Sequence, residues 1–234
     1  PMRLAPSLPV AVLLRVRLFT YVEKYSRTLR MLLETRPVLI LASASPRRQE
    51  LLREAGIPFQ VHAADINEDR NPGEQPLEYA RRLSREKALA VAAIYPQRYV
   101  LGADTIVVVG GDVPGEAEIL GKPKDPADAV RMLRMLSGRG HEVTTAVSLI
   151  MPGARTDTRA FVTKTSTTQV VFRKITEDEI QQYVSGGEPM DKAGAYAIQG
   201  GASLWTDRIE GEYSNVVGLP LSVVTEMLLA NNFR

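Results

Sequence analysis

With 234 residues, 44% of them hydrophobic, the chain can bury a core as one large domain or as two lobes. A formal charge of +2 is too small to imply a nucleic-acid surface, and the absence of cysteine excludes disulfides, thiolate nucleophiles and Cys-based zinc sites. No apolar run reaches the roughly 20 residues of a membrane span, so the chain reads as soluble and cytoplasmic. The imidazoles are His62 and His141, which form no His-x-x-x-His pair, so any metal falls to oxygen ligands and is magnesium or manganese rather than zinc.

Residues 1–36 differ from the rest. Leu8 to Leu14 is apolar, but Arg15 and Arg17 interrupt it and no small-residue cleavage pattern follows. An amphipathic or disordered extension is expected there, with Met31 a candidate alternative start, and one domain over 37–234. Val38 to Leu41 reads as a buried strand. It empties through the small residues 42–45 onto a helix begun by Ser45 as N-cap and Pro46, with Leu51, Leu52 and Ala55 as its apolar face and Gly56 and Pro58 as its stop. A helix N-terminus favours an anion. Arg47 and Arg48 in that first turn oppose the dipole, so they are either solvated surface residues or a grip on a polyphosphate.

Pro58 to His62 is a second strand, leading into an acidic loop from Asp65 to Gln75 in which Glu68 and Asp69 are solvated charges or metal ligands. Pro76 to Tyr95 is a helix with Leu77, Ala80, Leu83, Val91 and Ile94 on one face and Glu78, Arg81, Arg82, Arg85 and Glu86 opposite. Lys87 falls within the apolar face. It either snorkels out or reaches an internal anionic site, and the second reading is favoured.

Tyr99 to Val109 is the clearest buried strand, apolar enough to be covered on both faces. Asp104 interrupts it. An unpaired buried carboxylate is costly, so Asp104 is read as a metal ligand or general base, with Gly102 and Ala103 leaving room for something to approach. A turn begins at Gly110-Gly111, and a loop at Gly115 to Glu118 precedes Lys122. The spacing from Gly115 to Lys122, with Pro123 in place of Ser/Thr, rejects a P-loop. Asp125-Pro126 opens a helix to Leu136. Glu142–Met151 and Ala160–Phe172 form a hairpin, and the capping box Thr176 to Glu179 opens a helix that ends near Gly186. Residues 190–201 follow no packing period. Within them Gln199 either reads a nucleobase edge or satisfies backbone in a tight turn. Asp207 to Val217 is expected as turn and strand, and Leu221 to Leu229 as a closing helix. The order gives an α/β class with a central mixed sheet and flanking helices.

Four segments, SASPRR at 43–48, GADT at 102–105, GKP at 121–123 and DKAGAYAIQG at 191–200, together resemble the Maf-like nucleoside triphosphate pyrophosphatases. The resemblance runs from about Pro37 to the C-terminus. It implies a Maf/ITPase-like fold with two lobes around a cleft, and divalent-metal-dependent hydrolysis of a nucleoside triphosphate to the monophosphate and pyrophosphate. A homodimer would fit the family. Arg47, Thr105 and Gln199 match the branch that prefers dTTP and UTP and depart from the branch acting on 7-methyl-GTP. By the same resemblance, Asp104 is the proton acceptor, while Ser43, Arg48, Glu68, Lys87 and Lys122 line the phosphate and metal site. Glu68 and Asp104 are the candidate metal ligands, and the residues leave open which of them is base and which is ligand. Two rival readings are a pyrophosphatase for another modified or non-canonical nucleotide and a nucleotide-sensing regulator of cell division.

Overall fold

A computed structural model describes residues 38–110, 117–153 and 161–233. The expected N-terminal extension, part of the turn that begins at Gly110-Gly111 and the tip of the hairpin lie outside these. In chain order the elements are β1 (Leu39–Leu41), α1 (Pro46–Glu54), β2 (Phe59–Val61), α2 (Pro76–Ile94), β3 (Val100–Val109), β4 (Glu118–Leu120), α3 (Pro126–Leu136), β5 (Gly140–Ile150), β6 (Phe161–Phe172), α4 (Glu177–Ser185), β7 (Thr206–Glu210), α5 (Tyr213–Val217) and α6 (Leu221–Ala230). Three short 3₁₀ turns between α4 and β7 occupy half of the stretch that showed no period.

The strands make one mixed sheet in the order β2-β1-β3-β5-β6-β7, with β4 added to β3. β1 pairs in parallel with β2 and β3, and the β3–β5, β5–β6, β6–β7 and β3–β4 pairs are antiparallel. Side-chain alternation splits the core in two. Leu39, Leu41, Leu101, Ala103, Val107, Val147 and Leu149 join Leu51 and Leu52 of α1, Leu133 of α3 and Val224 of α6 in the main core. Ile40, Val100 and Ile150 turn the other way, against Ala88 and Val91 of α2, as do Ile106 and Ala146 against Ala80. A sheet covered on both faces is what the near-continuous apolar run of β3 requires.

Local chemistry sets the helix starts. The Ser45 hydroxyl accepts from the Arg48 N–H, and the Asp125 carboxylate accepts from the Asp128 N–H. In the capping box Thr176 and Glu179 satisfy each other's backbone.

Three expectations are corrected. Leu77 and Ile94 are 37% and 58% exposed because they fall in the terminal turns of α2, while Ser84, Ala88 and Ala92 take the buried side. Residues 213–217 are helical rather than a strand. The β-branched residues there are overruled by tertiary bonds: the buried Asn215 amide donates to the Val143 carbonyl (2.8 Å) and Thr168 Oγ1 (2.9 Å). Gly102 makes room for a helix and not for a ligand: a Cβ at this position would lie 2.2 Å from the Ser84 carbonyl oxygen of α2.

Candidate active site

β1 ends at Leu41, and β4 joins β3 only from Val107, so residues 102–106 have a strand partner only on the β5 side. A cavity of about 530 Å³ lies at this open edge, beyond the carboxyl end of β1. Ligands bind α/β sheets at such gaps, because loops leaving the strand ends can converge there without crossing a neighbouring strand. Ser43, Arg47, Arg48, Glu68, Lys87, Asp104, Thr105, Lys122 and Gln199 all line it, so the nine candidate residues come together from six separate segments.

The open edge explains how adjacent residues of β3 serve one cavity from opposite faces. Asp104 turns towards α2, where the Lys87 ammonium donates to its Oδ1 at 2.7 Å. Lys87 and Asp104 are only 8% and 7% exposed. Lys87 is also paired with Glu68 at 2.9 Å. Burial pushes the Asp104 carboxyl above the usual carboxylate range, with Lys87 and Arg48 pulling it back down. Thr105 turns towards α1, where its hydroxyl accepts from Arg48 Nη2 at 3.1 Å.

Arg48 is held by neutral oxygens alone. Its Nε donates to the Gly218 carbonyl at 2.8 Å and its Nη1 to Ser43 Oγ at 3.1 Å, and among the described residues it has no ion pair. Burial lowers its pKa while the nearby Asp104 raises it, and a guanidinium remains charged at neutral pH. A desolvated fork without a carboxylate partner is suited to accept a phosphate.

The acidic loop is fastened rather than free. Arg82 grips both oxygens of Glu74, at 2.7 and 2.9 Å, and donates to the Asp69 carbonyl at 2.9 Å, while Tyr79 donates to the Glu68 carbonyl at 2.8 Å. These bonds hold Glu68 over Lys87. Asp69 does not line the cavity.

Across the cleft, the 3₁₀ segment is pinned from several sides. The Tyr183 hydroxyl accepts from the Ala197 N–H (2.9 Å) and donates to Glu188 (2.8 Å). The Tyr196 hydroxyl meets His141 Nε2 at 2.8 Å, and the Gly194 N–H donates to the Gly121 carbonyl beside Lys122 at 3.1 Å. Gln199 is exposed at the end of this segment and makes no hydrogen bond to another described residue, so it does not serve as a backbone-satisfying turn residue. Asp191, which the sequence did not single out, pairs with Arg47 at 3.3 Å and joins the two sides of the cavity.

In all, the wall carries five cations (Arg47, Arg48, Lys87, Lys122 and Lys192) against three carboxylates (Glu68, Asp104 and Asp191), an excess suited to a polyanion. Among the described residues no group of three or more His, Cys, Asp or Glu side chains could hold a metal. Glu68 and Asp104 nevertheless fit magnesium or manganese, which are bound through one or two carboxylates together with substrate phosphates and water.

This mixed α/β fold, with a cation-rich cavity around two carboxylates, defines a phosphate-handling protein. The chain belongs to the Maf-like protein family, whose model matches residues 38–231. It is 53% identical over 190 residues to the dTTP/UTP pyrophosphatase of Koribacter versatilis (strain Ellin345), covering 81% of this chain and 92% of that protein. A relative of the same name from Geobacter sulfurreducens (strain ATCC 51573 / DSM 12127 / PCA) is also 53% identical over 190 residues, with 81% and 94% covered. One from Geobacillus sp. (strain WCH70) is 50% identical over 184 residues, with 79% and 92% covered.

Proposed function

We propose that the protein is a nucleoside triphosphate pyrophosphatase that hydrolyses dTTP and UTP to the nucleoside monophosphate and pyrophosphate. The observation that carries this reading is the convergence of Arg47, Arg48, Lys87 and Lys122 with Glu68 and Asp104 on one cavity, in a chain about half identical to proteins named for that activity.

In this scheme the cations spread around the triphosphate neutralise charge on its non-bridging oxygens. Arg48 is already oriented by Gly218, Ser43 and Thr105, so binding costs little further ordering of that side chain. Asp104 accepts a proton from water as the water oxygen attacks the α-phosphorus. The bond from that phosphorus to the oxygen bridging the α and β phosphates breaks, and pyrophosphate leaves with the electron pair. A carboxyl held above its ordinary pKa by burial is a better proton acceptor than a solvated one. Glu68 and Asp104 would hold magnesium or manganese, which supplies positive charge to the phosphate oxygens when bound. Gln199, with its amide free, would read the edge of a pyrimidine, and Arg47 and Thr105 line the same cavity. A nucleotide pool in the cytoplasm is the corresponding location.

The test is a panel of dTTP, UTP, CTP, 7-methyl-GTP and ITP with pyrophosphate detection and a metal titration. Turnover of dTTP and UTP above the others is expected. Preference for a purine would overturn the substrate assignment, and nucleotide binding without pyrophosphate release would replace the enzyme by a sensor.

A further inference from the structure

Lys87 does more than neutralise a buried acid. Its Nζ stands 2.7 Å from Asp104 Oδ1 and 2.9 Å from Glu68 Oε1, taking one oxygen from each of the carboxylates that fit a divalent ion. A small divalent ion bound to those oxygens at about 2.0–2.1 Å would need the same lone pairs and the same space. Ammonium and ion therefore compete for those two oxygens, and their like charges repel at such close range. The cationic excess of the surrounding wall adds to this, since it disfavours a bare divalent ion and favours one that arrives on a polyphosphate.

We propose that Lys87 is a built-in counter-ion that keeps the two carboxylates together before substrate arrives and is exchanged for the metal when the nucleotide delivers it. The freed ammonium then turns to the phosphate oxygens. A lysine suits this exchange better than an arginine, because its charge is compact, its stem is flexible and its three donors can re-aim without a planar partner. The tether is short on the partner side as well, since Tyr79 and Arg82 fix the loop that carries Glu68. With the Glu68 backbone held in this way, the exchange is made by re-aiming the Lys87 stem. This inference rests on the function proposed above, and it adds an order of events: the free protein binds divalent metal poorly, and nucleotide and metal enter together.

The test measures Mn²⁺ binding to nucleotide-free protein by the electron paramagnetic resonance of free Mn²⁺. Lys87→Met and Lys87→Gln should each bind Mn²⁺ about tenfold or more tightly than the wild type. Adding Asp104→Asn to Lys87→Met should remove the gain. Affinity equal to or below that of the wild type in both variants would overturn the exchange, as it would mean that metal binds outside the space Lys87 fills. If removing the ammonium weakens the fold, Mn²⁺ should raise the melting temperature of Lys87→Met more than that of the wild type, and equal shifts would again overturn the proposal. Pyrophosphate release by the wild type is assayed separately. A wild type that turns over dTTP while the variants gain no Mn²⁺ affinity refutes the exchange and leaves the function standing.

Discussion

Gly102→Ala tests how the site is assembled, because this glycine sets the distance between the helix that carries Lys87 and the strand that carries Asp104. A Cβ at position 102 would lie 2.2 Å from the Ser84 carbonyl oxygen, 2.8 Å from the Ala88 backbone nitrogen and 2.9 Å from the Ala88 Cβ. None of these is the end of a flexible side chain. Ordinary contact begins near 3.5 Å, so α2 must retreat by about 1 Å. Overpacking costs about 1–3 kcal/mol, and obstruction by backbone places this case near 3 kcal/mol. Lys87 directly precedes Ala88, so the same retreat stretches the Lys87–Asp104 pair, and a displacement of about 1 Å can lower turnover about 100-fold. Urea unfolding gives the first quantity and pyrophosphate release from dTTP the second. Gly121→Ala serves as the stability control: a Cβ there meets nothing within 4 Å, and the change should stay within about 0.5 kcal/mol. A Gly102→Ala protein with wild-type stability and turnover would refute the close α2–β3 packing.

Other consequences follow from the same geometry. Arg48→Lys loses a fork that spans Gly218, Ser43 and Thr105, and should raise the KM for dTTP about tenfold or more; an unchanged KM contradicts the phosphate role. Tyr183→Phe frees the Ala197 N–H and Glu188, and should lower discrimination between dTTP and CTP several-fold, read as the ratio of kcat/KM values; an unaltered ratio removes the 3₁₀ segment from base selection. His141 is buried with its Nδ1 unpartnered, and burial lowers its pKa from 6.5 to about 4. The unfolded chain therefore takes up this proton first. The stability held by the neutral ring is complete above pH 6.5 and is lost as pH falls from 6.5 to about 4, by about 3 kcal/mol in all. His141→Gln should flatten that limb of the urea-midpoint profile, and an identical limb in both proteins would rule it out.

The residues that could be picked out from the sequence were those at odds with their local surroundings. Asp104 interrupts an apolar strand, Lys87 sits in the apolar face of a helix, and Arg47 and Arg48 stand at the wrong end of a dipole. Each is a local cost, and a local cost can be read without coordinates. The cavity collects them because β3 runs on past the end of β1 at Leu41, and how the two strands align is a fact that neither carries alone. What could not be read depends on partners far away in the chain. Arg82 looked like an ordinary member of a solvent face, yet it anchors Glu74 and the Asp69 carbonyl. Asp191 had no visible reason to meet Arg47, 144 residues earlier. β4 has three residues and α5 five, too few for either period to emerge. Gly102 was recognised as making room, but only the packed helix reveals what fills it.

The central claim is that a carboxylate in the middle strand takes the proton while cations around it hold the triphosphate. Asp104→Asn keeps the shape and removes the charge, so pyrophosphate release from dTTP should be measured beside equilibrium binding of dTTP to the same protein. The account predicts release reduced about 100-fold or more with binding retained. Release at the wild-type rate from Asp104→Asn would contradict it.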